Sequence, residues 1–204
     1  MTSHPRPSPR TAVSLLAAAA LLVALVGCTP QDSVAAGYDS GVQTYESGDF
    51  RVEQIPVAER GDPVVFDGVT EYDEPASSDD FAGRVYVVNF WYAACGPCIV
   101  EAPMLEEVWQ KYQQQDVGFL GINIYDQPAS ARAFAADNEV TYPSVIDAND
   151  GQVKLAFAAA TPIQATPTTL VMDRQGRVAA RIIGQLQSAS ILSTLIDDVL
   201  AEVH

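Results

Sequence analysis

The sequence predicts an α/β domain with a mixed central sheet flanked by helices. Three observations predict it. The first half alternates apolar strand runs with helix-period segments: Val85 to Trp91, Ile99 to Gln115, Val117 to Tyr125 and Ala129 to Glu139. The second half places two strand runs in succession, Thr168 to Met172 and Val178 to Ile183, joined by Asp173-Arg174-Gln175-Gly176. The chain then closes on an amphipathic helix. Crossover helices join parallel neighbours, a tight turn joins antiparallel ones, and a sheet that combines both needs cover on each face.

Residues 1–27 read as an export signal. Arg6 and Arg10 give a positive start, and the uncharged Ala, Leu and Val run from Thr11 to Val26 ends at Gly27-Cys28. That run is shorter than the roughly 20 apolar residues a spanning helix needs. Leu25-Val26-Gly27-Cys28 resembles a bacterial lipobox, in which cleavage precedes the cysteine and lipid is attached to its thiol. Cys28 is then the expected mature N-terminus, holding the domain outside the cytoplasm and on the membrane through lipid. An uncleaved anchor or an ordinary secretory cleavage places the domain on the same side.

Residues 28–49, rich in Ser, Gly, Asp and Gln, read as a flexible tether, which leaves 50–204 as the folded domain. Phe50 to Ile55 alternates and Pro63 to Val69 offers a short strand, so the two are expected to pair as an N-terminal β-hairpin. Ser77 to Gly83 is a polar connector into the apolar strand Val85 to Trp91. The helix from Ile99 to Gln115 contains Pro103, which is expected to kink it. Val117 to Tyr125 is apolar enough for a buried strand, and Ala129 to Glu139 carries Ala131, Phe134 and Ala135 at helical spacing. Tyr142 to Ile146 is a brief extended piece, Asp147 to Gly151 a turn, and Val153 to Ala159 a short helix. After the hairpin, Ser188 to Val203 presents Ile191, Leu192, Leu195, Ile196 and Val199 on one face.

Cys95-Gly96-Pro97-Cys98 lies where the central strand gives way to a helix. A cysteine at a helix start sees free N–H groups and the positive end of the macrodipole, so its thiolate is favoured and it becomes a nucleophile. Cys95 is therefore expected to face solvent, with Cys98 one turn deeper and able to close a disulfide. A structural staple is the alternative, but so short a loop removes little unfolded-state entropy. Metal and haem fit poorly. The other Cys and His candidates are Cys28, His4 and His204, whereas structural zinc takes four ligands. Covalent haem attachment needs His where Ile99 stands. No cofactor and no metal site are expected. The formal charge of −15, with every acidic residue beyond Cys28, repels phosphate backbones and argues against nucleic acid as a partner.

With Val87-Val88-Asn89-Phe90-Trp91, the Cys95–Cys98 motif, Glu101, Pro103 and Ala165-Thr166-Pro167-Thr168-Thr169 in place, the chain resembles thioredoxin-fold proteins. Within them it is most similar to membrane-anchored extracytoplasmic thiol-disulfide oxidoreductases of the TlpA and ResA type. The resemblance covers about Phe50 to Ala201. It implies a thioredoxin-like sheet in which Asp126 to Ala160 holds the inserted helix and strand. It also implies a cis bond before Pro167, with Thr166 and Pro167 forming a substrate-binding loop beside the motif; a trans, strand-initiating proline is the alternative. The resemblance also makes Trp91, Gly96 and Pro97 the expected active-site rim.

The resemblance gives Glu101 a part in proton transfer with Cys98, against the alternative of a solvated helix carboxylate. Asn89 stands where ordinary thioredoxins have a buried Asp, and Ala94 replaces the usual Trp before the first Cys. The implied partners are disulfide-containing exported proteins, oxidised apocytochrome c among them, and a transmembrane electron donor or acceptor. Gly96-Pro97 adds no charge to stabilise the Cys95 thiolate, which favours a reductase over a disulfide-donating oxidase. A copper chaperone on the same fold would resemble a CxxxC pair with a distal His, and a peroxide-reducing enzyme would place Pro and Thr before a single Cys; Tyr92-Ala93-Ala94 stands there instead.

Overall fold

The computed structural model describes residues 43–47 and 50–202. At the centre of the main sheet, β5 (Val85–Trp91) runs parallel to β6 (Val117–Asn123) and antiparallel to β8 (Thr168–Met172). Beyond β6 lies the parallel β7 (Ser144–Ile146). Beyond β8 follow β9 (Val178–Ile183), β2 (Phe50–Gln54) and β1 (Gln43–Ser47), each antiparallel to its neighbour. A second, two-stranded sheet pairs β3 (Asp67–Val69) with β4 (Pro75–Ser77), and Thr70 beside it bridges Val145 at the β7 edge.

The side-chain alternation of β5 builds both layers. Val85 and Val87 pack with Leu105 and Val108 of α1 (Gly96–Tyr112) and Leu192 and Ile196 of α4 (Ala189–Ala201). Tyr86, Val88 and Phe90 point the other way, into a core with Phe66 and with Val153 and Phe157 of α3 (Gln152–Ala160). Burying each such side chain contributes about 2 kcal/mol, so a strand apolar on both faces selects a central position. The helix α2 (Pro128–Asp137) sets Ala131 and Phe134 against Trp91, Cys95 and Cys98.

Two expectations near the N-terminus are corrected. The strand at Phe50–Gln54 does pair as a hairpin, but its partner is Gln43–Ser47, inside the stretch read as a tether. The ordered domain therefore starts before residue 50. Backbone pairing to β2 allows an edge strand with few apolar residues. Pro63 to Val69 does not join that hairpin: its last three residues form β3 with Pro75–Ser77. Pro63 has no N–H for a ladder, and Val64 and Phe66 go into the core instead. The first helix begins at Gly96 rather than Ile99 and continues through Pro103. The expected signal, lipid site and most of the tether lie outside the described residues.

Candidate active site

Cys95 is the N-cap of α1: its backbone is extended, Pro97 follows in the first turn, and its Sγ accepts the Cys98 N–H at 3.2 Å. Pro suits that turn because its missing N–H has no partner to lose there. The two cysteines form a disulfide with their Cα atoms 5.2 Å apart. The expectation that Cys95 faces solvent is not met in this oxidised state, where both cysteines are 2% exposed. The N-cap side chain folds back over the first turn, while Ala94, Gly96 and Pro97 around it are exposed.

Glu101, one turn along α1, is only 1% exposed. Its Oε1 accepts the Asn89 side-chain amide at 2.9 Å and its Oε2 the Leu186 backbone N–H at 2.8 Å. Burial raises its carboxyl to about 7, partly offset by the Leu186 and Asn89 donors. Asn89 comes from the β5 face that meets α1, and its amide also donates to Thr169 Oγ1 at 3.0 Å, directly across the β5–β8 pair. The Thr166–Pro167 peptide is cis, and Pro167 is buried. Its carbonyl accepts the Gly184 N–H at 3.0 Å, so the segment just before Leu186 is tied to the proline loop. The carboxylate thus touches the proline loop's surroundings by two routes, through Asn89 and Thr169 and through the Gly184 to Leu186 turn.

Several contributors have no obvious mark in the sequence. Asp126 Oδ2 accepts the Ala93 N–H at 2.6 Å and the Asn123 amide at 2.8 Å, pinning the strand exit before Cys95. Tyr125 stands edge-on to Tyr92 with centroids 5.0 Å apart. The spacing of Asn123 and Asp126 after an apolar strand is the one local turn signal that could have found this clamp. A cavity of about 10 Å³, room for about one water molecule, is lined by Cys98, Asn89, Trp91, Phe134, Tyr142 and Ser144. Among the described residues no group of three or more His, Cys, Asp or Glu side chains is arranged to hold a metal ion.

Residues 53–196 match the family model described as Redoxin. The thiol-disulfide oxidoreductase ResA of Geobacillus thermodenitrificans is 33% identical over 112 residues, 55% of this chain and 62% of that protein. The thiol:disulfide interchange protein HelX of Rhodobacter capsulatus is 31% identical over 119 residues, 58% of this chain and 62% of HelX. The matched regions thus span about three-fifths of these curated relatives. Among solved structures, a DsbF homologue from Corynebacterium diphtheriae aligns with a TM-score of 0.64 at 27% identity, covering 78% of this chain and 99% of that one. A thioredoxin-like mixed sheet is common to the chain and that neighbour.

Proposed function

This chain belongs to the redoxin family, and we propose that it is an extracytoplasmic thiol-disulfide oxidoreductase that reduces disulfides in exported proteins, held to the membrane by lipid on Cys28. One observation carries the reading: a Cys95–Cys98 disulfide capping a helix start, one turn from a buried carboxyl raised to about 7. The ResA and HelX names of its relatives point to the same chemistry.

In the reduced protein, the Cys95 thiolate attacks one sulfur of a substrate disulfide. A Cys95–substrate bond forms and the first substrate thiolate leaves. Cys98 then gives its proton to the Glu101 carboxylate and attacks Cys95 Sγ, re-forming the internal disulfide and expelling the second substrate thiolate. The two released thiolates take up two protons, one of them returned from Glu101. Substrate gains two electrons and the cysteine pair loses two, which a membrane electron donor must restore. Thr166 and Pro167 supply the segment against which an extended substrate lies, because proline cannot use its own nitrogen and leaves the Thr166 backbone free to pair. Oxidised apocytochrome c is the substrate that the resemblance to TlpA and ResA proteins suggests.

The test is direct. Cys98→Ser is expected to accumulate a mixed disulfide with a disulfide-bonded protein, and Cys95→Ser to form none. Alkylation of the reduced protein at Cys98 before Cys95 would reverse the roles. A reduction potential near about −270 mV supports a reductase, and one near about −120 mV supports a disulfide donor instead.

A further inference from the structure

Trp91 shares a buried cluster with Cys95, Cys98 and Phe134, and its ring lies 4.3 Å from that of Phe134. Its indole N–H donates to Ser144 Oγ at 3.2 Å. Ser144 is in turn held from both sides by one residue. Its backbone N–H donates to Glu71 Oε2 at 2.8 Å, and the Glu71 N–H donates to the Ser144 carbonyl at 3.0 Å. Arg132 of α2, the helix that also carries Phe134, donates to the Glu71 carbonyl oxygen.

Glu71 is 2% exposed, although Tyr72, Asp73 and Glu74 after it are all exposed. Burying a carboxylate is costly unless it is well bonded, and the redox steps above make no use of this one. Gly121 of β6 shows how closely the contact is built: a Cβ there would lie 2.1 Å from Ser144 Oγ and 2.8 Å from Trp91 Nε1. Any larger residue at that position would push the serine and the indole apart.

We propose that Glu71 is a positioning residue for the redox pair, holding Ser144 and, through Ser144, the Trp91 indole against the Cys95–Cys98 disulfide. The acceptor oxygen is what matters. Glutamine at this position keeps an oxygen for the Ser144 N–H, whereas alanine leaves that buried donor unpaired. The inference rests on the thiol-disulfide reading only in needing a reducible Cys95–Cys98 bond.

The chain has two tryptophans, so Trp109→Phe leaves Trp91 as the single reporter. A neighbouring disulfide quenches indole emission, and reduction by a small dithiol relieves it; the rise reports how the indole sits on the disulfide. In that background Glu71→Ala and Ser144→Ala are expected to lose most of the rise, and Glu71→Gln to keep it. The two alanine variants are also expected to resolve a mixed disulfide about fivefold more slowly, the worth of one net hydrogen bond. The proposal is overturned if both alanine variants keep the parent's emission rise and resolve within about twofold of it, less than one hydrogen bond. Should Glu71→Ala fail to fold, Glu71→Leu takes its place, since it keeps the side chain's bulk and offers no acceptor to the Ser144 N–H; an emission rise equal to the parent's there overturns the proposal. Absence of protein-disulfide reduction by the unsubstituted chain would strike the functional reading instead, because the emission rise needs no protein substrate.

Discussion

Replacing Glu101 by Gln is expected to remove a pH dependence of stability whose sign and size follow from burial. The Glu101 carboxyl has an ordinary value of 4.5 and lies at about 7 in the fold, raised by desolvation. A group bound more tightly to its proton in the native state stabilises the fold fully below pH 4.5 and loses that contribution as pH rises through about 7. Integrating the proton uptake between pH 5 and pH 8 removes about 2.5 kcal/mol from the wild type. Glutamine has no proton to lose. Its single oxygen can serve either Asn89 or the Leu186 N–H, so it carries a cost of about 1 to 3 kcal/mol for the unpaired donor, constant with pH.

Urea unfolding of the oxidised protein at both pH values isolates the ionisation, because Cys98 has no thiol to titrate in that state. Glu71 and Asp147, also raised by burial, tilt both variants alike and cancel. Relative to wild type, Glu101→Gln is expected to gain about 2.5 kcal/mol between pH 5 and pH 8. In thermal melts this is about 5 to 10 °C for a domain of this size. A difference between the variants that stays constant across the two pH values to within about 0.5 kcal/mol would refute the raised carboxyl, since less than about half a pKa unit would then separate folded from unfolded Glu101.

In kinetics, Glu101→Gln is expected to slow release of the mixed disulfide near neutral pH and to recover as pH approaches the free thiol value of about 8.5, with the first attack by Cys95 changed less; a stopped-flow pH profile checks both steps. Arg60 pairs with Asp173 and Glu202 while its side chain is 3% exposed and that of Asp173 is 0% exposed. Arg60→Ala is therefore expected to cost about 3 kcal/mol by chemical unfolding, with Arg177 as the remaining cation on Asp173. Cys28→Ala is expected to release the protein from membranes in cell fractionation and to leave its disulfide-reducing activity unchanged in solution.

The central elements were legible because each carries its own signal. Val85–Trp91 is apolar on both faces, and such a run can satisfy itself only in the middle of a covered sheet. The β8–β9 hairpin has its turn written as Asp173 to Gly176, and α4 shows its buried stripe at helical spacing. The β1–β2 hairpin is the exception, because Gln43–Ser47 has Tyr45 as its one large apolar residue and so shows no apolar alternation.

The site divides along the same line. Cys95 and Cys98 are readable because their chemistry is local, a short loop at a helix start, whereas the cis bond before Pro167 is implied only by the resemblance to thioredoxin-fold proteins. Glu101 was readable as a position and not as an environment, since its burial depends on Leu186, 85 residues away, arriving at the right height above α1. Glu71 left no local mark at all. It is one of three acids in Glu71-Tyr72-Asp73-Glu74, and only the crossing of that turn over β7 makes it differ from Asp73 and Glu74. A carboxylate's identity fixes which bonds it can make, but the desolvation that gives it a task comes from segments distant in sequence, so carboxylates are where reading by motif runs out first and where substitution with pH-resolved measurement is most informative.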